Sequence, residues 1–302
     1  MEPFIAVLMG GNSSERPVSL QTGNACADNL QAAGYRVARV DVQDDIAEKL
    51  LQIKPNKVFN ALHGPIGEDG VVQGLLELLR IPYTHSGVLA SALAMHKVNA
   101  KHMAAAVGIP VAEHLLATAS EISSGHVMSP PYVVKPIAEG SSFGVIIVAA
   151  GDAPPALDLE MGRFGEKLMV ERFVAGRELT CAVLGNEALG ITEIIPQGLK
   201  FYDYDAKYAP GGSLHICPAK LPDELTKRIC DLSVLAHQAL GCRGATRSDF
   251  RYDPEIDDLI WLEVNTQPGM TPTSLLPEIA QMRGISFMQL VSRLVEEASL
   301  NR

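Results

Sequence analysis

Aromatic residues are scarce in this chain, at 5% of 302 positions with a single tryptophan, so few platforms exist on which the bases of a single strand could stack. Positive charge is short as well. Lys and Arg number 25 against 35 Asp and Glu, a formal net charge of −10, which argues against a dedicated nucleic-acid surface. No apolar run approaches the roughly 20 residues that span a bilayer, and stretches such as Val145 to Ala150 are only strand-sized. The N-terminus carries an acid, Glu2, where a secretory signal needs a base, and its apolar stretch runs into Gly10-Gly11. The cysteines (Cys26, Cys181, Cys217, Cys230, Cys242) are 5 in number and form no C-x-x-C pair. That disfavours a disulfide framework or a zinc site and favours buried thiols in a reducing cytoplasm. With 47% hydrophobic and 20% charged residues, what remains is a folded, acidic, soluble protein of roughly two domains or three small ones.

The apolar run Phe4–Met9 ends in Gly10-Gly11-Asn12, the pattern of a buried strand closing in a tight turn, and helical spacing follows through Val18, Ala25 and Leu30 to Gly34. Strands at Arg36–Val42 and Lys57–Leu62 then alternate with helices near Ile46–Ile53 and Val71–Leu79. Alternating β and α units of this length predict a parallel, Rossmann-like α/β domain over residues 1–95. After a helix from Lys97 to Val107, short β-rich pieces follow at Tyr132–Lys135, Val145–Val148 and Lys167–Phe173. Residues from Arg177 read as antiparallel strands (Leu179–Leu184, Ala188–Pro196), a polar loop over 197–213 and a helix at Pro222–Leu240. The strands Ala245–Tyr252 and Leu259–Asn265 flank a turn at Asp253–Asp258, and helices at Ser274–Met282 and Ser286–Ser299 close the chain.

The final pair of strands is chemically the richest. A period of two puts Arg247, Asp249 and Arg251 on one face, and Glu263 and Asn265 on one face with Ile260, Leu262 and Val264 opposite. Asp249, Glu263 and Asn265 then offer hard oxygens of the kind magnesium takes beside nucleotide phosphates, or they line an ordinary solvated sheet face. The loop Glu139-Gly140-Ser141-Ser142-Phe143-Gly144 can wrap a phosphate with backbone N–H groups, Lys135 reaching in as a point charge, or it is a plain flexible hairpin. No Walker loop occurs, and the Gly10-Gly11 turn fails the dinucleotide spacing. Glu15 and His63 both fall beyond the C-terminal ends of parallel strands, where open α/β sheets bind ligands, although a helix-dipole acid and a satisfied lone histidine are the simpler readings. The segment 201–208, FYDYDAKY, closed by Pro210-Gly211-Gly212, is rich enough in large side chains to act as a lid.

Seven segments, in this order, resemble the D-alanine–D-alanine ligase family of the ATP-grasp superfamily: GGNSSERPVSL (10–20), LHGPIGEDG (62–70), MHKVNAK (95–101), VVKPIAEGSSFGV (133–145), FYDYDAKY (201–208), RSDF (247–250) and LEVNTQPGMTPTSL (262–275). The resemblance spans essentially the whole chain. It implies that the first α/β domain, binding the first D-alanine, precedes a two-domain ATP-grasp fold of antiparallel sheets, a central part at 96–175 and a C-terminal part at 176–302 with metal site and lid. It further implies that Lys97 and Lys135 neutralise ATP phosphates, that Glu171, Arg172 and Val174 belong to the adenine stretch, and that Glu178 takes the ribose. Phe201 and Lys207 belong to the ATP side, with Lys207 at the γ-phosphate. Asp249, Glu263 and Asn265 correspond to the ligands of two magnesium (or manganese) ions. Glu15, with His63 and Val18 nearby, fixes the first D-alanine, while Ser141 and Tyr208 join the phosphate loop to the lid. Arg247 and the Gly269 N–H hold the oxyanion, and Ser274 and Leu275 receive the second carboxylate.

The implied activity is ATP-dependent formation of D-alanyl-D-alanine through an acyl phosphate, for peptidoglycan precursors, by a cytoplasmic homodimer without nucleic-acid or membrane partners. A D-alanine–D-lactate ligase is the nearest alternative, disfavoured by Tyr208 in the lid, and a nucleotide-binding module without catalysis is disfavoured by Arg247. Departures from the family pattern are Pro17 where an acid is usual, His85 where a small residue is expected, and Arg172-Phe173 in the adenine stretch.

Overall fold

The computed structural model describes residues 3–43, 45–141, 143–157, 164–197, 212–271 and 273–300. Strands β1 (Phe4–Gly10), β2 (Arg36–Val42) and β3 (Lys57–Asn60) form a parallel sheet in the order β2-β1-β3. β1 is buried on both sides because its alternate residues feed different cores. Ile5, Val7 and Met9 meet Cys26 and Leu30 of α1 (Arg16–Ala32), whereas Ala6 and Leu8 meet Leu50 of α2 (Ile46–Ile53) and Leu76 of α3 (Val71–Leu79). The predicted strand to Leu62 ends at Asn60: the Ala61 N–H still donates to the Leu8 carbonyl at 2.9 Å, but the Leu62 N–H turns to Asn60 Oδ1 at 3.2 Å.

Helices α4 (Val88–Met95) and α5 (Lys97–Ala106) lead to a second sheet. It is built from β4 (His114–Ala117), β5 (Tyr132–Lys135), β6 (Ile146–Val148) and β7 (Leu168–Arg172), in the antiparallel order β4-β7-β5-β6. Between its first two strands lies α6 (Ala119–Ser124), fixed by a Thr118–Glu121 capping box, which puts Ile122 against Tyr132, Val134 and Val170. The opposite face of this sheet carries Val133, Lys135, Ile147 and Glu171 into the site described below.

The third sheet is antiparallel in the order β10-β9-β8-β11-β12, from β8 (Arg177–Leu184), β9 (Glu187–Pro196), β10 (Ser213–Ile216), β11 (Ala245–Asp253) and β12 (Asp258–Asn265). Helix α7 (Asp223–Ala239) covers one face through Leu225 and Ile229, against Phe250 and Trp261. The closing helices α8 (Leu275–Met282) and α9 (Phe287–Glu297) share a core with β1, β8 and α1, so the chain's end packs back onto its beginning.

One expectation fails here. The alternation placing Ile260 and Leu262 away from Glu263 is broken by a β-bulge: Asp249 pairs with Glu263 but Phe250 pairs with Trp261, leaving Leu262 as the extra residue. Ile260, opposite Arg251, thereby joins the same side as Asp249, and both Leu262 and Glu263 line the cleft. The bulge gives the site an apolar wall of Leu262 and Val174 beside its carboxylates, backed by Ile260 and Ala112.

Candidate active site

Two clefts meet between the sheets. The first, about 960 Å³, lies between the second and third sheets, and the second, about 1020 Å³, opens toward the C-terminal end of β1 and β3. Lys97, Glu139, Gly140 and Glu263 line both, so the clefts are two halves of one site.

In the first half, Lys97 begins α5, whose N-terminus is tied down by its N–H to the Ile137 carbonyl at 2.9 Å. The Lys97 ammonium donates to the Glu139 carbonyl at 2.5 Å and stands 3.5 Å from Glu263 Oε2. Lys135, at the end of β5, pairs with Glu171 Oε1 at 2.5 Å, and the other oxygen of Glu171 takes Lys101. Glu171 is 2% exposed and Lys101 1%, so these ions are held in a nearly dry environment. Burial pulls the Glu171 pKa up, but the two ammonium groups more than offset it and keep the carboxyl below its ordinary value. Glu171 thus serves the cleft as a buried counter-ion, and the Arg172 side chain turns away to Asp258 at 2.9 Å. Arg251 donates to the carbonyls of Val174 (3.1 Å) and Gly176 (3.0 Å) and to Glu178 (3.3 Å), which fixes the crossover between β7 and β8.

Asp249 and Glu263 face each other across the β11–β12 ladder, with Arg247 opposite Asn265 one pleat along. Arg247 grips both oxygens of Asp249 at 2.9 and 2.8 Å, and Thr180 Oγ1 donates to Asp249 Oδ1 at 2.6 Å. Two carboxylates and an amide oxygen on one face fit a hard dication that completes its shell with phosphate and water. Among the described residues no group of three His, Cys, Asp or Glu side chains forms a metal cage.

In the second half, Glu15 is the residue before α1, yet its side chain does not cap that helix. It accepts from Ser141 Oγ across the cleft, a contact beyond that of an acid at a helix N-terminus. Ser141 holds a φ of +51°, a left-handed conformation that turns its hydroxyl toward Glu15. His63 is pinned by Glu68 (Nδ1 to Oε1, 3.3 Å) and Thr22 (Nε2 to Oγ1, 3.1 Å), its carbonyl accepting from Ser13 Oγ at 2.7 Å. Burial lowers its pKa, but Glu68 and then Glu15 win, leaving it above the ordinary histidine value. At the far wall, Ser274 precedes α8 and binds Thr271 N–H at 3.0 Å, so a carboxylate there meets a helix N-terminus. A Cβ on Gly269 would stand 2.9 Å from Ser274 Oγ, so a larger residue there would press on that hydroxyl.

Every site residue expected from the sequence lines one of the two clefts, except Phe201, Lys207 and Tyr208, which lie outside the described residues. Sequence reading missed Lys101, Thr180, Arg251, Thr22 and Glu68, residues that hold the others in place.

A profile of the D-ala D-ala ligase C-terminus matches residues 103–296, and one of the D-ala D-ala ligase N-terminus matches residues 41–86. The chain is 60% identical over 301 residues to the D-alanine–D-alanine ligase of Sinorhizobium fredii, covering 99% of this chain and 98% of that one. The chain belongs to the D-alanine–D-alanine ligase family. A relative from Agrobacterium fabrum in the same family is 59% identical over 303 residues, 99% of this chain and 98% of that one. Among solved structures, the D-alanine–D-alanine ligase of Bacillus anthracis complexed with ATP superposes with a TM-score of 0.82 at 30% identity, over 99% of this chain and 97% of that one. A D-Ala:D-Ser ligase from Enterococcus faecalis gives 0.77 at 28% identity, over 98% and 99%. The expected ATP-grasp architecture, a parallel first sheet followed by antiparallel ones, is the fold found.

Proposed function

We propose that the joined clefts carry out the family's reaction with the residues the sequence singled out. The chain is an ATP-dependent ligase that joins D-alanine to D-alanine. The observation that carries the assignment of roles is the shared wall of Lys97, Glu139, Gly140 and Glu263, which brings a phosphate-binding half and an amino-acid-binding half together.

In this reading residues 1–95 supply the first D-alanine subsite, 96–175 one wall of the ATP cleft, and 176–302 the other wall with metal site and lid. ATP lies in the first half, its phosphates toward Lys97 and Lys135, its adenine along Glu171–Val174 and its ribose at Glu178. Asp249, Glu263 and Asn265 hold magnesium or manganese, two ions, which supply neutralisation of triphosphate charge. The ammonium of the first D-alanine meets Glu15 beside His63 and Val18. Its carboxylate oxygen attacks the γ-phosphorus in line, forming an O–P bond as the bond to ADP breaks. The amine of the second D-alanine, whose carboxylate sits at Ser274 and Leu275, then attacks the acyl carbon. Arg247 and the Gly269 N–H hold the resulting oxyanion until phosphate leaves and the amine sheds its proton. Phe201 and Lys207 serve the ATP side, Lys207 at the γ-phosphate, while Ser141 and Tyr208 join the phosphate loop to a lid that keeps out water, which would otherwise hydrolyse the acyl phosphate.

We place this reaction in the cytoplasm, supplying dipeptide for peptidoglycan precursors. Self-association is supported by an exposed apolar strip: Val71 and Leu78 on α3 are 59% and 84% exposed, and Leu89 on α4 is 65% exposed. Phosphate release combined with mass spectrometry of products from D-alanine, D-serine and D-lactate tests the function. D-alanine-dependent phosphate and D-alanyl-D-alanine are expected; predominant depsipeptide, or phosphate release indifferent to D-alanine, overturns the reading.

A further inference from the structure

Two buried amide side chains beside the site are used neither for substrate nor for capping. Asn60, which ends β3, is fully buried, and Gln267 is 2% exposed. Gln267 stands between Asn265 of the cation face and Gly269 of the oxyanion turn. Asn60 Nδ2 donates to Gln267 Oε1 at 2.6 Å and to the Gly67 carbonyl at 2.9 Å, while Asn60 Oδ1 accepts the Leu62 N–H at 3.2 Å. Gln267 Nε2 donates to the Leu62 carbonyl, and the Gln267 N–H donates to Asn265 Oδ1 at 2.9 Å.

The consequence is geometric. Past Asn60 the chain leaves the sheet, and Leu62, the residue before His63, has its N–H held by Asn60 and its C=O held by Gln267. The same Gln267 orients the Asn265 amide through its own backbone. One side-chain pair therefore links the segment carrying His63 to the segment carrying Asn265 and Gly269. An apolar pair of the same shape would strip the Leu62 N–H and carbonyl of these partners, so the amides satisfy buried backbone as well as each other. What the amides add is a fixed orientation for two peptide segments.

We propose that Asn60 and Gln267 are positioning residues that set the first-substrate subsite in register with the cation and oxyanion groups, and so determine how completely acyl phosphate is converted to dipeptide. This rests on the functional reading above. The second step needs the acyl carbon within reach of Arg247 and the Gly269 N–H while the amine approaches. A shift of order 1 Å between subsites slows such a step by up to about 100-fold. The in-line attack on the γ-phosphorus uses the same register, so both steps slow, and whatever acyl phosphate forms waits longer for the amine and is lost to water.

The test measures ADP and D-alanyl-D-alanine in the same reaction, with thermal unfolding measured alongside. Wild type is expected to give one ADP per dipeptide. Gln267→Met keeps the side-chain length and removes both polar ends. It is expected to lower kcat for dipeptide by about 10-fold or more, to leave the KM for ATP within about 2-fold, and to raise ADP per dipeptide at least about 2-fold. Asn60→Ser, a milder change, is expected to uncouple in the same direction and supplies the readout if Gln267→Met does not fold. One ADP per dipeptide in a folded variant, whatever its rate, overturns the proposal, and so does failure of both variants to fold, which makes the pair a folding determinant. Failure of wild type to make dipeptide refutes the functional reading instead, independently of either variant.

Discussion

Replacing His85 with glycine should make the protein less sensitive to acid. His85 is 3% exposed, stands edge-on to Phe59 with ring centroids 5.6 Å apart, and neither ring nitrogen makes a hydrogen bond of ordinary geometry. Burial drives its pKa from 6.5 down to about 3, helped by His63 and only partly opposed by the Ala245 backbone. The native imidazole is therefore neutral, while the unfolded chain binds a proton below the ordinary histidine pKa. Stability from this group is complete above pH 6.5 and is lost as pH falls from there toward about 3. At about 1.36 kcal/mol per pKa unit, the cost between about pH 8 and about pH 5 is roughly 2 kcal/mol. Glycine also suits the backbone, since His85 holds a φ of +67°. The emptied space lowers stability at both pH values alike, so the diagnostic quantity is the difference between them. Urea unfolding followed by the fluorescence of the single, fully buried tryptophan, Trp261, supplies it. Buried His237, with a pKa near 4, responds in the same direction but is present in both proteins and cancels. Equal losses of stability from about pH 8 to about pH 5 in wild type and His85→Gly would refute the reasoning.

Two further substitutions bear on the site. Lys101→Met leaves Glu171 to Lys135 alone and ties that ammonium down, so steady-state kinetics should show the KM for ATP rising about 10-fold with a smaller change in kcat; an unchanged KM contradicts the counter-ion role of Glu171. Gly269→Ala places a methyl group 2.9 Å from Ser274 Oγ and pushes that hydroxyl out of the second carboxylate's place, so the KM for the second D-alanine should rise about 10-fold, and an unchanged KM would remove Ser274 from that subsite.

The parallel first sheet was legible because continuous apolar runs such as Ile5–Met9 alternate with helical spacing and end in glycine turns. Helix α4 went unread because Val88–Met95 is almost uniformly small or apolar, so it has no polar phase to reveal its period. Strands β4 (HLLA) and β10 (SLHI) went unread because they lack the run of β-branched residues that made β5 (YVVK) and β6 (IIV) legible at no greater length. The bulge at Leu262 was invisible for a different reason: an extra residue in one strand is a relation between strands, and only the ladder with β11 reveals it. The site shows the same division. Lys101 and Gln267 even lie inside the motifs MHKVNAK and LEVNTQPGMTPTSL, yet they and Arg251 matter through partners roughly 70 or more positions away, which no local pattern records.

Crystals grown with Mn²⁺ and a non-hydrolysable ATP analogue, measured for anomalous scattering, test the central claim most directly. The account predicts manganese peaks between the analogue's phosphates and the oxygens of Asp249, Glu263 and Asn265. A bound nucleotide with no anomalous density at that pair of strands would contradict it.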